Sequence, residues 1–160
     1  MSLPVIGDHA PEIVLSDDAG TMHRLSDRRG RWTVLYFYPA DDTPGCTVEA
    51  CEFRDNHEAI RERGAEVWGI SPQGAASKRA FRQKLELPFT LLPDEAHQAA
   101  EAYGAWVEKE RDGRTFWGTA RTTFLVAPDG RIAHVWPRVT PEGHGAEIVS
   151  ALDELGVVAG

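Results

Sequence analysis

The run Trp32-Thr33-Val34-Leu35-Tyr36-Phe37-Tyr38, closed by Pro39, constrains the fold more than any other segment. β-Branched and aromatic side chains follow one another there without polar alternation, the pattern of a strand buried on both faces. Such a strand needs cover above and below, so helices must flank its sheet. It is also the longest strongly apolar run, and it is far too short to cross a bilayer.

Other segments supply the rest of the sheet. Glu66–Ser71 reads as a second strand and Phe89–Leu92 as a third, shorter one. Thr122–Ala127 and Arg131–Trp136 flank Pro128-Asp129-Gly130, where Asp-Gly signals a hairpin. Helical segments fall between them. Pro44–Arg63 carries apolar residues at Val48, Ala50, Cys51, Phe53, Ala59 and Ile60, with Gly64 placed to end it. Gly74–Leu85 and Glu95–Tyr103 stop near Pro88 and Gly104, and Gly145–Leu155 forms a last amphipathic helix before Gly156. The order β-α-β-α, then β-hairpin-α with one helix inserted, is that of a thioredoxin-like fold, an α/β architecture with a central mixed β-sheet flanked by helices.

The chain of 160 residues suits one domain spanning 1–160, since no repeat, linker or charge run divides it. With 17 basic and 25 acidic residues its formal charge is −8, which argues against a nucleic-acid or anionic-membrane surface. Two cysteines form no disulfide framework, and a chain this long needs none. Met1–Asp8 shows neither a basic n-region nor an apolar h-region, so the expected compartment is the cytoplasm, with reduced thiols.

The chemistry gathers at one of those cysteines. In Tyr38-Pro39-Ala40-Asp41-Asp42-Thr43-Pro44-Gly45-Cys46 a buried strand runs out, a polar loop follows, and Thr43-Pro44 opens a helix. Thr43 suits the N-cap and Pro44 the first helical position, which places Cys46 in the first turn. Backbone N–H groups there have no helical partner and carry partial positive charge, so a thiolate is favoured. Gly45 leaves room for a small substrate to approach those donors. A cysteine serving only as a small buried hydrophobe would instead sit mid-element among aliphatic side chains.

Cys51 follows five residues later. On a regular helix that step is roughly 140° of net rotation and 7.5 Å of rise, which puts the Cα atoms roughly 8–9 Å apart. A disulfide needs roughly 4.4–6.8 Å. If the two sulfurs pair, the helix start must unwind first, and the bond is transient; otherwise Cys51 simply packs against the sheet.

The segment Asp42-Thr43-Pro44-Gly45-Cys46-Thr47-Val48-Glu49-Ala50-Cys51, with Pro39 before it and Phe53-Arg54-Asp55-Asn56 after it, resembles the peroxiredoxins. Within them it is most similar to the bacterioferritin comigratory protein (peroxiredoxin Q) subfamily. Val67–Pro72, Phe89–Asp94 and Arg121–Val126 match in order, so the resemblance runs along nearly the whole chain. It implies that Cys46 is the peroxidatic cysteine, that the Thr43 hydroxyl binds peroxide and that Pro39 limits water access. Arg121 is implied to pair with the thiolate, Glu49 to link to that arginine, and Cys51 to resolve the oxidised sulfur. Read without the resemblance, Thr43 is only a cap, Arg121 a solvated strand-edge cation and Glu49 a surface charge favoured by the helix dipole. The resemblance further implies hydroperoxide substrates, a thioredoxin- or glutaredoxin-type reductant, a monomer, and no metal, haem or flavin. Trp106-Val107-Glu108, in the stretch between Ala105 and Thr119, departs from the common family pattern, which bears on partner docking.

Two rival chemistries fit less well. A disulfide oxidoreductase wants Cys-x-x-Cys, with both sulfurs near one helix start. A copper or zinc carrier would use Cys-x-x-x-Cys with a distant histidine such as His134 or His144, and here the cysteine step is wrong. The six histidines read as surface or core residues, and the five tryptophans as strand and core packing.

Overall fold

The computed structural model describes residues 3–159, with side chains through residue 156. Its elements in chain order are β1 (Val14–Ser16), β2 (Met22–Arg24), β3 (Trp32–Phe37), α1 (Pro44–Asp55), α2 (His57–Glu62), β4 (Ala65–Ser71) and α3 (Ala75–Leu85). Then come β5 (Thr90–Pro93), α4 (Gln98–Ala102), β6 (Trp106–Arg111), β7 (Arg114–Thr119), β8 (Thr122–Val126), β9 (Ile132–Trp136) and α5 (His144–Ala159).

All six residues of β3 are buried, and β3 lies at the centre of a five-stranded sheet ordered β5-β4-β3-β8-β9. It runs parallel to β4 and antiparallel to β8, so the sheet is mixed as expected. Alternation along β3 divides the core in two. Val34, Tyr36 and Tyr38 join Cys46, Ala50, Phe53 and Ile148 on one face. Leu35 and Phe37 join Trp68, Ile70, Phe124 and Tyr103 on the other. The Tyr36 ring stacks on Phe53 at 4.4 Å between centroids and lies over its strand partner Gly69. A Cβ at Gly69 would stand 2.8 Å from that ring, so the glycine is what lets α1 pack through Tyr36.

Several boundaries differ from the sequence reading. Pro44–Arg63 is two helices: the Asn56 side-chain amide and backbone N–H both donate to the Glu52 carbonyl, at 2.8 and 3.1 Å, and end α1 there. α4 begins only at Gln98, because the Asp94 carboxylate takes the N–H groups of Ala99 and Ala100 while His97 turns through left-handed backbone at φ 48°. α3, by contrast, ends at Leu85 as expected, on a left-handed Glu86 at φ 53°. α5 starts at His144 and continues through Gly156.

Two short hairpins, β1–β2 and β6–β7, were not expected. The second fills the stretch between Ala105 and Thr119 and turns at Asp112-Gly113, both with positive φ (53° and 77°), the backbone a tight two-residue hairpin requires. Trp117 on β7 is 57% exposed, which corrects its reading as core packing.

Candidate active site

Where β3 ends, the chain enters a loop and turns at Asp42, whose φ of 60° is left-handed backbone that aspartate tolerates better than most residues. Thr43 then enters α1 in extended conformation, followed by Pro44 at the first helical position. The first helical backbone bond runs from Thr47 N–H to Thr43 O at 2.8 Å. Among the described residues the N–H groups of Gly45 and Cys46 therefore have no carbonyl partner. Cys46 sits in this turn and is 1% exposed. Thr43 occupies the N-cap position, but its side chain does not cap. The loop folds back so that its hydroxyl donates to the Ala40 carbonyl at 3.0 Å, which leaves the oxygen's lone pairs as acceptors.

Arg121 arrives from 75 residues further on. Pairing of Thr122 with Phe37 sets β8 so that the residue before it lies beside the end of β3. The guanidinium spans two groups, with Nη2 3.5 Å from Cys46 Sγ and Nη1 donating to Glu49 Oε1 at 2.8 Å. A Cβ at position 45 would stand 3.0 Å from Nη2, so Gly45 makes space for the arginine. Burial works against the Arg121 charge, but Glu49 and Cys46 outweigh it and hold the guanidinium above its ordinary range.

Glu49 is fully buried, which overturns its reading as a dipole-favoured surface charge. One turn into α1 from Cys46, it points inward toward Arg121. Burial pushes its carboxyl up to about 7 against the pull of Arg121. Its Oε2 and the Tyr36 hydroxyl are buried without a hydrogen-bond partner among the described residues. Burial, followed by the charges of Glu49 and Cys46, pushes Tyr36 well above its usual range.

The other expected residues lie around this centre. Pro39 is half-buried at the start of the loop, and its carbonyl accepts from Gln73 Nε2 at 3.2 Å. Cys51 is half-buried in the same unbroken helix as Cys46, and both thiols are free. The regular-helix separation of roughly 8–9 Å therefore applies to the pair.

Lys109 on β6 escaped the sequence reading. Its ammonium donates to the Thr119 carbonyl at 2.6 Å, and its charge interacts with both Cys46 and Arg121. The Asp112-Gly113 turn was the signal that could have placed it, since a hairpin there sets Lys109 opposite Phe116.

The histidines proposed for a metal carrier do not meet the cysteines. His144 is buried between Thr123 Oγ1 (2.9 Å) and Glu147 Oε1 (3.0 Å), and His134 packs edge-on to Trp136.

Known proteins resemble the chain along most of its length. Residues 6–135 match the model of the AhpC/TSA family. A putative peroxiredoxin bcp from Coxiella burnetii is 46% identical over 147 residues, spanning 92% of this chain and 97% of that protein. Peroxiredoxin Bcp of Bacillus subtilis is 43% identical over 150 residues, 94% of this chain and 96% of its own. Among solved structures, Xanthomonas campestris peroxiredoxin Q superposes with a TM-score of 0.88 at 30% identity, covering 97% of this chain and 98% of that one. Trapped intermediate/ligand complex structures of the Xanthomonas campestris bacterioferritin comigratory protein, which bear on its alkyl peroxide reduction activity, include one at TM-score 0.88 and 29% identity, covering 98% and 99% of the two chains. A buried first-turn cysteine beside an arginine is thus set in a sequence alike over more than nine-tenths of its length, and the chain belongs to the AhpC/TSA family as a peroxiredoxin of the Bcp (peroxiredoxin Q) type.

Proposed function

We propose that this thiol-dependent peroxidase works through Cys46, and the observation that carries the assignment is the 3.5 Å approach of Arg121 Nη2 to its sulfur. The Cys46 thiolate attacks one oxygen of a hydroperoxide. The S–O bond forms as the O–O bond breaks, and the departing oxygen leaves as water or an alcohol once it takes a proton. Cysteine is oxidised to sulfenic acid and the peroxide is reduced. Negative charge spreads over both oxygens as they separate, so donors already aimed at that volume stabilise the transition state more than the ground state. The free N–H groups of the first turn and the Arg121 guanidinium are such donors. Thr43, holding its proton on Ala40, is set to accept from the peroxide O–H, and Pro39 flanks the loop where water would enter.

Cys51 then acts as the resolving residue. Its thiolate attacks the Cys46 sulfur, the S–S bond forms, and hydroxide leaves to be protonated to water. The first turn of α1 must fray to close the gap, so the enzyme is an atypical two-cysteine peroxiredoxin with an intramolecular disulfide. A thioredoxin- or glutaredoxin-type dithiol reduces that disulfide by exchange. We assign the chain as one domain over 1–160, acting as a cytoplasmic monomer without nucleic-acid or membrane partners. The net charge of −8 supports the last point, and no helix of the described residues is long and apolar enough to cross a membrane.

The deciding experiment follows NADPH oxidation coupled to peroxide through thioredoxin and its reductase. Cys46→Ser is expected to abolish consumption; activity that survives it removes the assignment. Cys51→Ser should complete one turnover and then stall. Thiol titration with one equivalent of hydrogen peroxide, followed by peptide mass mapping, should lose both thiols and link the two cysteine peptides.

A further inference from the structure

The polar loop between β3 and α1 is held from the outside by a lysine that the reaction scheme leaves unused. Lys78, on α3, is fully buried. Its ammonium donates to Ser71 Oγ and lies 3.4 Å from both carboxylate oxygens of Asp41 and from the Tyr38 hydroxyl, over the Tyr38 ring. Asp41 also accepts from Tyr38 (2.5 Å) and from Ser77 (2.7 Å), while its own N–H donates to Gln73 Oε1 at 3.2 Å. Gln73 in turn holds the Pro39 carbonyl. Two consecutive anchors, Pro39 and Asp41, are thereby fixed around Ala40, whose carbonyl receives the Thr43 hydroxyl. Asp42 completes the loop in left-handed backbone, with its carboxylate 2.7 Å from Lys84 of the same α3. A strained backbone persists only where its surroundings over-determine it. Buried ion pairs stabilise a fold poorly, and their best-attested use is to specify one arrangement.

We propose that Lys78 is a positioning residue for the Cys46 reaction: by holding Asp41 it keeps the Pro39–Thr43 loop in the shape that presents Cys46 to peroxide, and losing it tips the first turn of α1 toward the frayed form that reaches Cys51. The proposal rests on Cys46 as the peroxidatic residue and Cys51 as the resolving one. Burial lowers the Lys78 ammonium to about 8 despite the pull of Asp41. The titratable groups facing it are Asp41 and Tyr38, with Asp94 and Asp18 acting from further away.

Rapid quench and mass spectrometry on the full chain separate the sulfenic acid from the disulfide. Lys78→Met should slow formation of the sulfenic acid about tenfold and speed its conversion to disulfide several-fold. A structural role alone would move both steps the same way or neither, and either result overturns the proposal. Should Lys78→Met fail to fold by circular dichroism, Ser77→Ala loosens the same carboxylate and should show the same opposed movement at smaller size; unmoved steps there also overturn it. The ratio of wild-type to Lys78→Met oxidation rates cancels the groups that titrate alike in both proteins. It should fall toward one as pH rises through about 8, and a level ratio from pH 7 to about 9.5 refutes the electrostatic hold. If Cys46→Ser still consumes peroxide, the peroxidase reading has failed; if it does not and both steps are unmoved in Lys78→Met, only the role of Lys78 has.

Discussion

Arg121 Nη1 donates to one oxygen of Glu49 at 2.8 Å, while the other oxygen of that carboxyl is buried with no partner among the described residues. The pair is thus half-satisfied. Burial favours the neutral acid, the guanidinium favours the carboxylate, and their balance places the carboxyl at about 7, where a modest pH change alters its charge. The same guanidinium faces Cys46, so the charge on Glu49 bears on how much of the arginine's field is left for the sulfur.

The first prediction concerns stability. The folded-state value of about 7 lies above the ordinary 4.5, so the fold prefers protonated Glu49. That contribution is fully present below about pH 4.5 and is lost as pH rises through about 7, an amount on the order of 3 kcal/mol. Glu49→Gln removes the dependence. Urea unfolding at pH 5 and pH 8 should show wild type losing roughly 2–3 kcal/mol more than the variant between the two conditions, the rest being lost already below pH 5; parallel losses would contradict the assignment.

Removing the guanidinium should act on the chemistry more than on the fold. Arg121→Ala takes away a charged donor next to the developing oxyanion, and losses of this kind are on the order of 100-fold or more. The second-order rate constant of the reduced enzyme with hydrogen peroxide is the measurement. Arg121→Lys keeps the charge but not a fork that reaches both Cys46 and Glu49, so its rate should fall between wild type and Arg121→Ala.

Much of this site was legible because the residues concerned lie in local patterns. Strand exit, Thr-Pro at a helix start and cysteine in the first turn are all short-range signals, and β3 and α1 begin where those signals put them. Arg121 was legible only through resemblance, since nothing local distinguishes it from a solvated arginine, and only the β3–β8 pairing carries it 75 residues to the sulfur. Glu49 reads from its position in the second turn as a surface charge, and its complete burial is a tertiary fact. Lys78 was invisible for the same reason. A lysine in a polar helical stretch predicts solvent, and here the helix sets it against Asp41 and Ser71 instead. The break at Asn56 was missed because a side-chain amide returning to Glu52 leaves no mark on apolar periodicity.

Gly45→Ala separates helix propensity from site geometry. Alanine in the first turn of α1 gains up to about 1 kcal/mol over glycine in an ordinary helix. Its Cβ would stand 3.0 Å from Arg121 Nη2, and Glu49 tethers that side chain from the other end. The guanidinium must shift by a few tenths of an ångström from the position in which it meets the sulfur. Stability is expected to hold within about 1 kcal/mol, while the peroxide rate constant drops roughly tenfold, about 1.4 kcal/mol. A variant at full activity would show that Arg121 does not need its observed position.

At the other end of α1, Gly145→Ala should damage the fold itself. Gly145 opens α5 against the end of α1, and its N–H donates to Glu52 Oε1 at 3.0 Å. A Cβ there would meet the Asn56 side-chain amide and stand 2.5 Å from the Glu52 carbonyl oxygen. A flexible side chain could yield, but that carbonyl is helix backbone already bonded to Asn56. α5 must therefore move off α1, giving up the Gly145–Glu52 bond and part of the packing of Ile148 and Leu152 beside Phe53. Overpacking of this kind costs about 1–3 kcal/mol. In a chain of this length each kcal/mol moves the thermal midpoint by roughly 2–4 °C, so a fall of roughly 2–12 °C is expected by calorimetry. Because the clash lies on the turn of α1 farthest from Cys46, the rate constant with peroxide at 25 °C should change less than threefold, and a large loss of rate without a fall in melting temperature would contradict this account.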